Sequence, residues 1–173
     1  MGVVNVTPDS FSDGGRFLDP DAAIAHGLAL AAAGADLVDV GGESTRPGAA
    51  AVGAAAEIDR VVPVVGGLAA TGALVSIDTG KAEVAAAALE AGAVVVNDVT
   101  ALGDPAMAGV VAEAGAGLVL MHMLGDPRTM QDDPHYEDVV AEVTAFLVAR
   151  CERALAAGLG PEAIGRVPGI GVG

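Results

Sequence analysis

Residues 39–48 of the chain are Asp39-Val40-Gly41-Gly42-Glu43-Ser44-Thr45-Arg46-Pro47-Gly48, and they follow directly on an apolar run. The two glycines allow close approach of the backbone, and Ser44 and Thr45 offer hydroxyl groups. Arg46 adds a planar set of donors that suits an oxyanion such as phosphate. An ordinary loop between a strand and a helix is the alternative interpretation, but this loop holds one of only eight Lys and Arg residues in the chain. The stretch therefore predicts a strand end that opens into an anion-binding loop.

The length and composition of the chain favour one α/β domain. A chain of 173 residues can bury one good core, and no segment is typical of a linker, so residues 1–173 are expected to form a single domain. Aromatic residues make up only 2% of the chain, so Val, Leu, Ile and Ala must build the core. No apolar run of about 18 residues lacks a charge, which argues against a membrane span. The single cysteine, Cys151, cannot form an internal disulfide, and a cytoplasmic protein is the expectation.

The formal net charge of −15 limits the partners of this protein. Proteins usually bind nucleic acid with a basic face, so this charge argues against nucleic acid as a partner. The same charge would repel an anionic substrate. Arg46, backbone N–H groups or a divalent cation must therefore reverse the sign of the charge at the site.

A glycine–alanine pair recurs where helical segments end and apolar runs begin. The pairs are Gly34-Ala35, Gly72-Ala73, Gly92-Ala93 and Gly115-Ala116. The apolar runs that follow end in the polar residues Asp39, Asp78, Asn97-Asp98 and His122. Apolar strands that alternate with helices predict a parallel sheet covered by helices. Polar ends on successive strands predict one shared site at one end of a (β/α) barrel. A doubly wound open sheet is the alternative, with ligand groups chiefly at one switch point.

Helical periodicity and capping residues predict five helices. Asp19-Pro20 and Asp104-Pro105 are expected to begin the first and the fourth. Pro63 lies inside the second helix and is expected in a first turn or at a kink. The expected ranges of the second, third and fifth helices are residues 57–70, 81–90 and 137–157.

Five segments together resemble the signature segments of dihydropteroate synthase. They are residues 5–15, 39–48, 76–79, 97–98 and 120–131, in the order found in that family. The resemblance covers the whole chain and implies a (β/α)8 TIM-type barrel, incomplete here, with about five βα units and part of a sixth strand. It also implies a transferase of folate biosynthesis. That enzyme joins 4-aminobenzoate to a 6-hydroxymethyl-dihydropterin diphosphate and releases pyrophosphate.

The resemblance implies a pterin pocket built from strand ends. Asp78 and Asn97 would bind the pterin, and Met121 would line its face. A carboxylate can accept two hydrogen bonds from an amino-pyrimidinone edge, and an amide can donate and accept beside it. Asn5 would help to bind Mg2+ together with the diphosphate, through a hard oxygen ligand.

The resemblance also implies roles for residues in two long loops. Thr45 would contact the diphosphate, and Phe11 and Pro47 would wall the aminobenzoate pocket. Asp13 and Arg46 would act as catalytic residues in loops that close over the reacting centre.

The sixth segment departs from the family pattern. Val167 stands where the family has an Asp before Pro-Gly, so a second pterin-binding carboxylate is not expected. The sequence also reaches only the start of a sixth strand, whereas a TIM barrel has about 250 residues. Strands seven and eight, with the Lys, Arg and His that the family carries there, are expected to be missing. Residues 1–173 alone are therefore expected to have little synthase activity.

Two other functions are compatible with these segments. One is a non-catalytic pterin-binding relative or an inactive fragment, and the other is a methyltransferase that uses methyltetrahydrofolate. Residues 5–15 and 41–48 favour the synthase over the methyltransferase. The expected partners are small-molecule substrates, with neither nucleic acid nor membrane, and a homodimer is left open.

Overall fold

The computed structural model of this chain describes residues 1–7, 19–44, 51–125, 130 and 133–170. Within these ranges, six parallel strands form one sheet in the order of the sequence. The strands are β1 Gly2–Asn5, β2 Val38–Gly41, β3 Val75–Asp78, β4 Val95–Asp98, β5 Gly117–Met121 and β6 Ile164–Val167. The helices between them are α1 Pro20–Ala32, α2 Ala54–Ala69, α3 Ala82–Glu90, α4 Met107–Ala114 and α5 Val139–Ala156.

The strand order distinguishes between the two predicted folds. Each strand pairs with its successor, from β1 to β6, and the order never reverses. A doubly wound sheet requires such a reversal, because its ligand site lies where the order changes. The fold is therefore of the (β/α) barrel type, as predicted, with five βα units and a sixth strand among the described residues.

Glycines end the helices at the predicted positions. Gly34, Gly72, Gly92 and Gly115 follow α1 to α4, with φ of +106°, +86°, +113° and +64°. L-residues with a side chain rarely adopt such values, so the recurring glycine is a requirement of this turn. The glycine–alanine repeat therefore identified the junctions between helices and strands correctly.

The side chains of the strands alternate between the helix layer and the inner face of the sheet. Those on the helix side are apolar and almost fully buried, and include Val38, Val40, Ile77, Val96 and Leu118. The inner face carries polar side chains instead, at the alternate positions of β2, β3 and β4. The apolar core therefore lies between sheet and helices, with the buried Asp98 at the end of β4 as a polar exception on the helix side.

Two predicted helix starts were wrong. Helix α2 begins at Ala54, so Pro63 lies in its third turn and not in the first. Helix α4 begins at Met107, with Ala106 as its N-cap. Asp104 caps a different helix, because its Oδ2 accepts a hydrogen bond of 2.9 Å from the first amide of α3, at Ala82. The other oxygen, Oδ1, accepts from the amide of Ala106 at 2.9 Å.

A helix that crosses a membrane must be both long and apolar, and none of the described helices meets both conditions.

Candidate functional site

The strand register brings four residues to one level on the inner face. Asn5 pairs with Gly41, Gly41 with Asp78, and Asp78 with Asn97. A Cβ added to Gly41 would lie 3.5 Å from Asp78 Oδ2 and 3.8 Å from Asn5 Oδ1. Because Gly41 lacks a side chain, the oxygens of Asn5 and Asp78 flank the position that its Cβ would fill, at the carboxyl ends of the strands.

A buried carboxylate lies below this level. Asp39 is 4% exposed and pairs with Ser76 on the neighbouring strand. Asp39 Oδ1 accepts a hydrogen bond from the Ser76 hydroxyl, and Asp39 Oδ2 accepts one from Asn97 Nδ2 at 3.0 Å. Asp39 therefore connects β2 to both β3 and β4 through side chains on the inner face.

The carboxyl group of Asp78 has an unusual electrostatic environment. Burial, and then the negative charge of the nearby acids Asp39, Glu57, Asp98 and Glu43, together raise its pKa from 3.8 to about 7. Groups with such shifted pKa values concentrate at functional sites. Asp78 therefore changes its charge near neutral pH, at the position where the sequence predicted a pterin ligand.

Lys81 links two acidic residues behind the site. Its Nζ lies 2.5 Å from Glu43 Oε2 and 2.5 Å from Glu57 Oε2. Glu57 is fully buried, and its Oε1 has no hydrogen-bond partner among the described residues. Glu43 Oε1 accepts from the amide of Val52 at 2.9 Å, and so joins the two ends of the segment from 43 to 52. This cluster therefore fixes the base of the loop that carries the predicted anion-binding residues.

The turn after β4 is held in an uncommon backbone conformation. Ala101 and Leu102 have φ of +50° and +65° and are buried. The fully buried Asp98 accepts from the amide and hydroxyl of Thr100 at 2.9 and 2.6 Å, and from the amide of Leu102 at 2.7 Å. Strained residues of this kind often adjoin functional sites, and here they lie in the turn that follows Asn97 and Asp98.

The predicted convergence of polar strand ends is confirmed for three residues. Asp39, Asp78 and Asn97 all lie on the inner face, with Asp78 and Asn97 near the carboxyl ends of their strands and Asp39 one level below them, as the second residue of β2. His122 also follows a strand at this end, but its ring packs edge-on against Phe146 of α5, with 5.0 Å between ring centroids. His122 is on the helix side because it continues the alternation of Leu118 and Leu120, so its expected place at the shared site was wrong.

Other predicted site residues fall into two groups. Met121 lies on the inner face and pairs with Val167 of β6, whose side chain offers no hydrogen-bond acceptor. The loop residues lie outside the described residues, so their roles stay predictions: Phe11, Asp13, Thr45, Arg46 and Pro47.

The inner face offers few ligands for a metal ion. Over the described ranges, no three residues of the types His, Cys, Asp and Glu form a group that could hold one. Asn5 supplies one hard amide oxygen beside the position that a Cβ of Gly41 would fill. Mg2+ is often bound through one or two protein oxygens, with substrate phosphates and water completing the shell. Asn5 therefore fits a Mg2+ ion that is bound jointly with a diphosphate.

Comparison with known proteins agrees with this arrangement. The chain is 56% identical over 173 residues to the dihydropteroate synthase of Mycobacterium leprae (strain TN), covering 99% of this chain and 61% of that protein. A structure of Xanthomonas albilineans dihydropteroate synthase with 4-aminobenzoic acid is 53% identical with a TM-score of 0.90, and the match covers 99% of this chain and 61% of that one. The structure of that enzyme with 7,8-dihydropteroate is 48% identical with a TM-score of 0.85, and covers 99% and 60%.

The chain thus spans about three-fifths of the length of these relatives. A protein-family model described as pterin binding enzyme matches the whole of residues 1–173. The match includes every strand that contributes to the inner face described above. The chain therefore belongs to the family of pterin binding enzymes.

Proposed function

We propose that this chain provides the pterin-binding part of a dihydropteroate synthase. Such an enzyme joins 4-aminobenzoate to 6-hydroxymethyl-dihydropterin diphosphate and releases pyrophosphate. The observation that carries the proposal is the pairing of Asp78 with Asn97 on the inner face, at the carboxyl ends of adjacent strands. The names of the relatives support it, as do the 4-aminobenzoic acid and 7,8-dihydropteroate in the Xanthomonas albilineans structures.

The pterin is expected to bind edge-on to the strand ends. Its amino-pyrimidinone edge carries N–H donors, which match the carboxylate of Asp78 and the amide oxygen of Asn97. Met121, on the same face of β5, would pack against the ring. The carboxyl group of Asp78 is a stronger hydrogen-bond acceptor when it is ionised than when it is protonated. Pterin binding should therefore be tighter at a pH above its pKa of about 7.

The acidic inner face suits the charge that develops in the proposed reaction. Breaking the carbon–oxygen bond leaves positive charge on the pterin methylene group and negative charge on pyrophosphate. Asp78 and Asp39 lie on the side where the pterin would bind, so their negative charge would stabilise the cationic part of the transition state. Asn5 would hold Mg2+, which, when bound, neutralises charge on the leaving diphosphate. Phe11, Pro47 and Thr45 keep their predicted roles in aminobenzoate and diphosphate binding, and Asp13 and Arg46 keep their predicted catalytic roles.

Pterin binding tests the central part of the proposal. We expect Asn97→Ala to weaken binding of 6-hydroxymethyl-dihydropterin diphosphate to residues 1–173 at least about tenfold, because one directional polar contact is lost. The measurement is isothermal titration calorimetry. Thr71→Ala is the control, since Thr71 is exposed in a turn at the opposite end of the sheet. Equal affinities of Asn97→Ala and the unmodified chain would contradict the proposal.

A second test addresses the proposed metal ligand. Mg2+ should tighten binding of the pterin diphosphate to the unmodified chain, and Asn5→Ala should remove most of this gain, because the ion loses the amide oxygen of Asn5. The same pterin without its diphosphate is the control ligand, and its binding should not respond to Mg2+. If Asn5→Ala keeps the full Mg2+ effect, Asn5 is not the ligand.

A non-catalytic pterin-binding protein would pass both binding tests but show no turnover when it is supplied with the rest of a barrel. Turnover in that context is therefore the measurement that separates a binding protein from a transferase.

A further inference from the structure

We propose that Asp39 is a positioning residue that fixes the side-chain amide of Asn97, so that Asn97 presents its oxygen as an acceptor toward the pterin. This inference rests on the proposed function, because it concerns the same pocket. It adds Asp39, which is buried behind the pocket and determines whether Asn97 presents a hydrogen-bond donor or an acceptor to the ligand.

The orientation of an Asn side chain matters because its two ends have nearly equal shape but opposite polarity. A half-turn about its last bond exchanges an acceptor oxygen for an NH2 donor. On an open inner face, Asn97 could present either end to a ligand. A partner that only accepts hydrogen bonds removes this freedom.

Asp39 is such a partner, because a carboxylate offers acceptors alone. Its Oδ2 lies 3.0 Å from Asn97 Nδ2, so the amide nitrogen faces Asp39. The reverse orientation would place the Asn97 oxygen against a carboxylate oxygen, and a hydrogen bond would become a repulsion. The Asn97 oxygen is therefore left toward the open side of the inner face.

Asp39 is itself held in place. It is 4% exposed, and its second oxygen accepts from the hydroxyl of Ser76, which is fully buried on β3. Each oxygen of Asp39 thus has one donor, and both donors lie on strands of the same sheet. Rotation of Asp39 would break two hydrogen bonds in a buried site, which is costly.

The consequence concerns which ligands the pocket accepts. Asp78 and Asn97 lie side by side in the register, and both then face the ligand with acceptor oxygens. A pair of acceptors recognises an edge with two adjacent N–H donors, which the amino-pyrimidinone edge of a pterin provides. A ligand with acceptors at this edge would leave buried groups unpaired and would be rejected.

A double-mutant cycle tests the inference. Asp39→Ala, Asn97→Ala and the double variant of residues 1–173 are titrated with 6-hydroxymethyl-dihydropterin diphosphate, well above the Asp78 pKa of about 7, so that Asp78 stays ionised. We expect about tenfold weaker binding for Asp39→Ala, and no further loss when it is added to Asn97→Ala. A merely structural role would instead give losses that add in full, because the two changes would act independently.

Nuclear magnetic resonance of the free protein provides a second readout. The Asn97 side-chain amide should show one slowly exchanging proton in the unmodified chain, and Asp39→Ala should abolish its protection, because no acceptor is left at position 39. If Asp39→Ala does not fold, Ser76→Ala replaces it, because it loosens Asp39 without removing the carboxylate. Its smaller loss of affinity should likewise disappear in the Asn97→Ala background.

The outcomes separate this inference from the proposed function. If Asn97→Ala weakens binding and Asp39→Ala does not, the pterin pocket stands and the role of Asp39 is overturned. Fully additive losses, or equal amide exchange with and without the carboxylate, also overturn it. If the unmodified chain does not bind the pterin diphosphate, both the proposed function and this inference fail.

Discussion

Lys81→Met should lower the free energy of unfolding by about 3–5 kcal/mol, as expected when a buried carboxylate loses its only cationic partner. Glu57 is fully buried, and Lys81 is the one cation that pairs with it among the described residues. Burial lowers the pKa of Lys81, but hydrogen bonds to Glu43 and Glu57 raise it more, to a net value above 10.5. The stabilisation is therefore complete below pH 10.5 and is lost only as the pH rises through the higher pKa.

Urea denaturation of the unmodified chain and of Lys81→Met measures this difference in the free energy of unfolding. The matched control is the double variant Lys81→Met with Glu57→Gln, which removes both charges and should recover part of the lost stability. Arg60→Met is a second control, since Arg60 donates to the carbonyl of Gly42 at 2.9 Å and forms no ion pair with a buried carboxylate among the described residues. A loss of under about 1 kcal/mol for Lys81→Met would place the pair in the class of weak surface ion pairs.

Asp78→Asn should stabilise the chain at pH values above 7 while it weakens pterin binding. The folded state raises the Asp78 pKa from 3.8 to about 7, chiefly by burial and then by the charge of Asp39. The folded form thus holds the proton more tightly than the unfolded form does, and stability falls as the pH rises between these two values. Removing the charge should raise the free energy of unfolding by about 2–4 kcal/mol above pH 7.

The pH profile of unfolding distinguishes this effect from a simple change in packing. The advantage of Asp78→Asn should shrink steadily as the pH is lowered from 7 toward 3.8. Glu90→Gln serves as the control, because Glu90 is exposed at the end of α3. A stability difference that stays constant over this range would show that Asp78 does not titrate as described.

The sequence predicted the repeated part of the fold well, because that part follows from single residues. A helix that ends in a positive φ requires glycine, and Gly34, Gly72 and Gly92 mark such ends. Apolar runs of strand length that end in Asp78 and Asn97 predicted both the barrel and the inner face. These signals are local in the chain and need no knowledge of distant contacts.

The sequence did not reveal the cluster around Lys81. Glu57 belongs to the amphipathic helix α2. The periodicity of that helix shows which of its faces is buried, but not that a carboxylate on that face forms an ion pair with a cation. Its partner is 24 residues away, in the loop before α3. The place of His122, in contrast, could have been predicted, because the alternation of Leu118 and Leu120 assigns it to the helix side.

Asp104 couples the folding of two successive βα units. Its carboxylate closes the start of α3 through the amide of Ala82, and its backbone carbonyl accepts from the amide of Met107 at the start of α4. Unwinding of the turn at Asp104 therefore removes the cap of the preceding helix as well. The third and fourth units should open and close as one cooperative segment, so transient exposure of either helix to solvent or protease occurs only when both helices lose their first turns together.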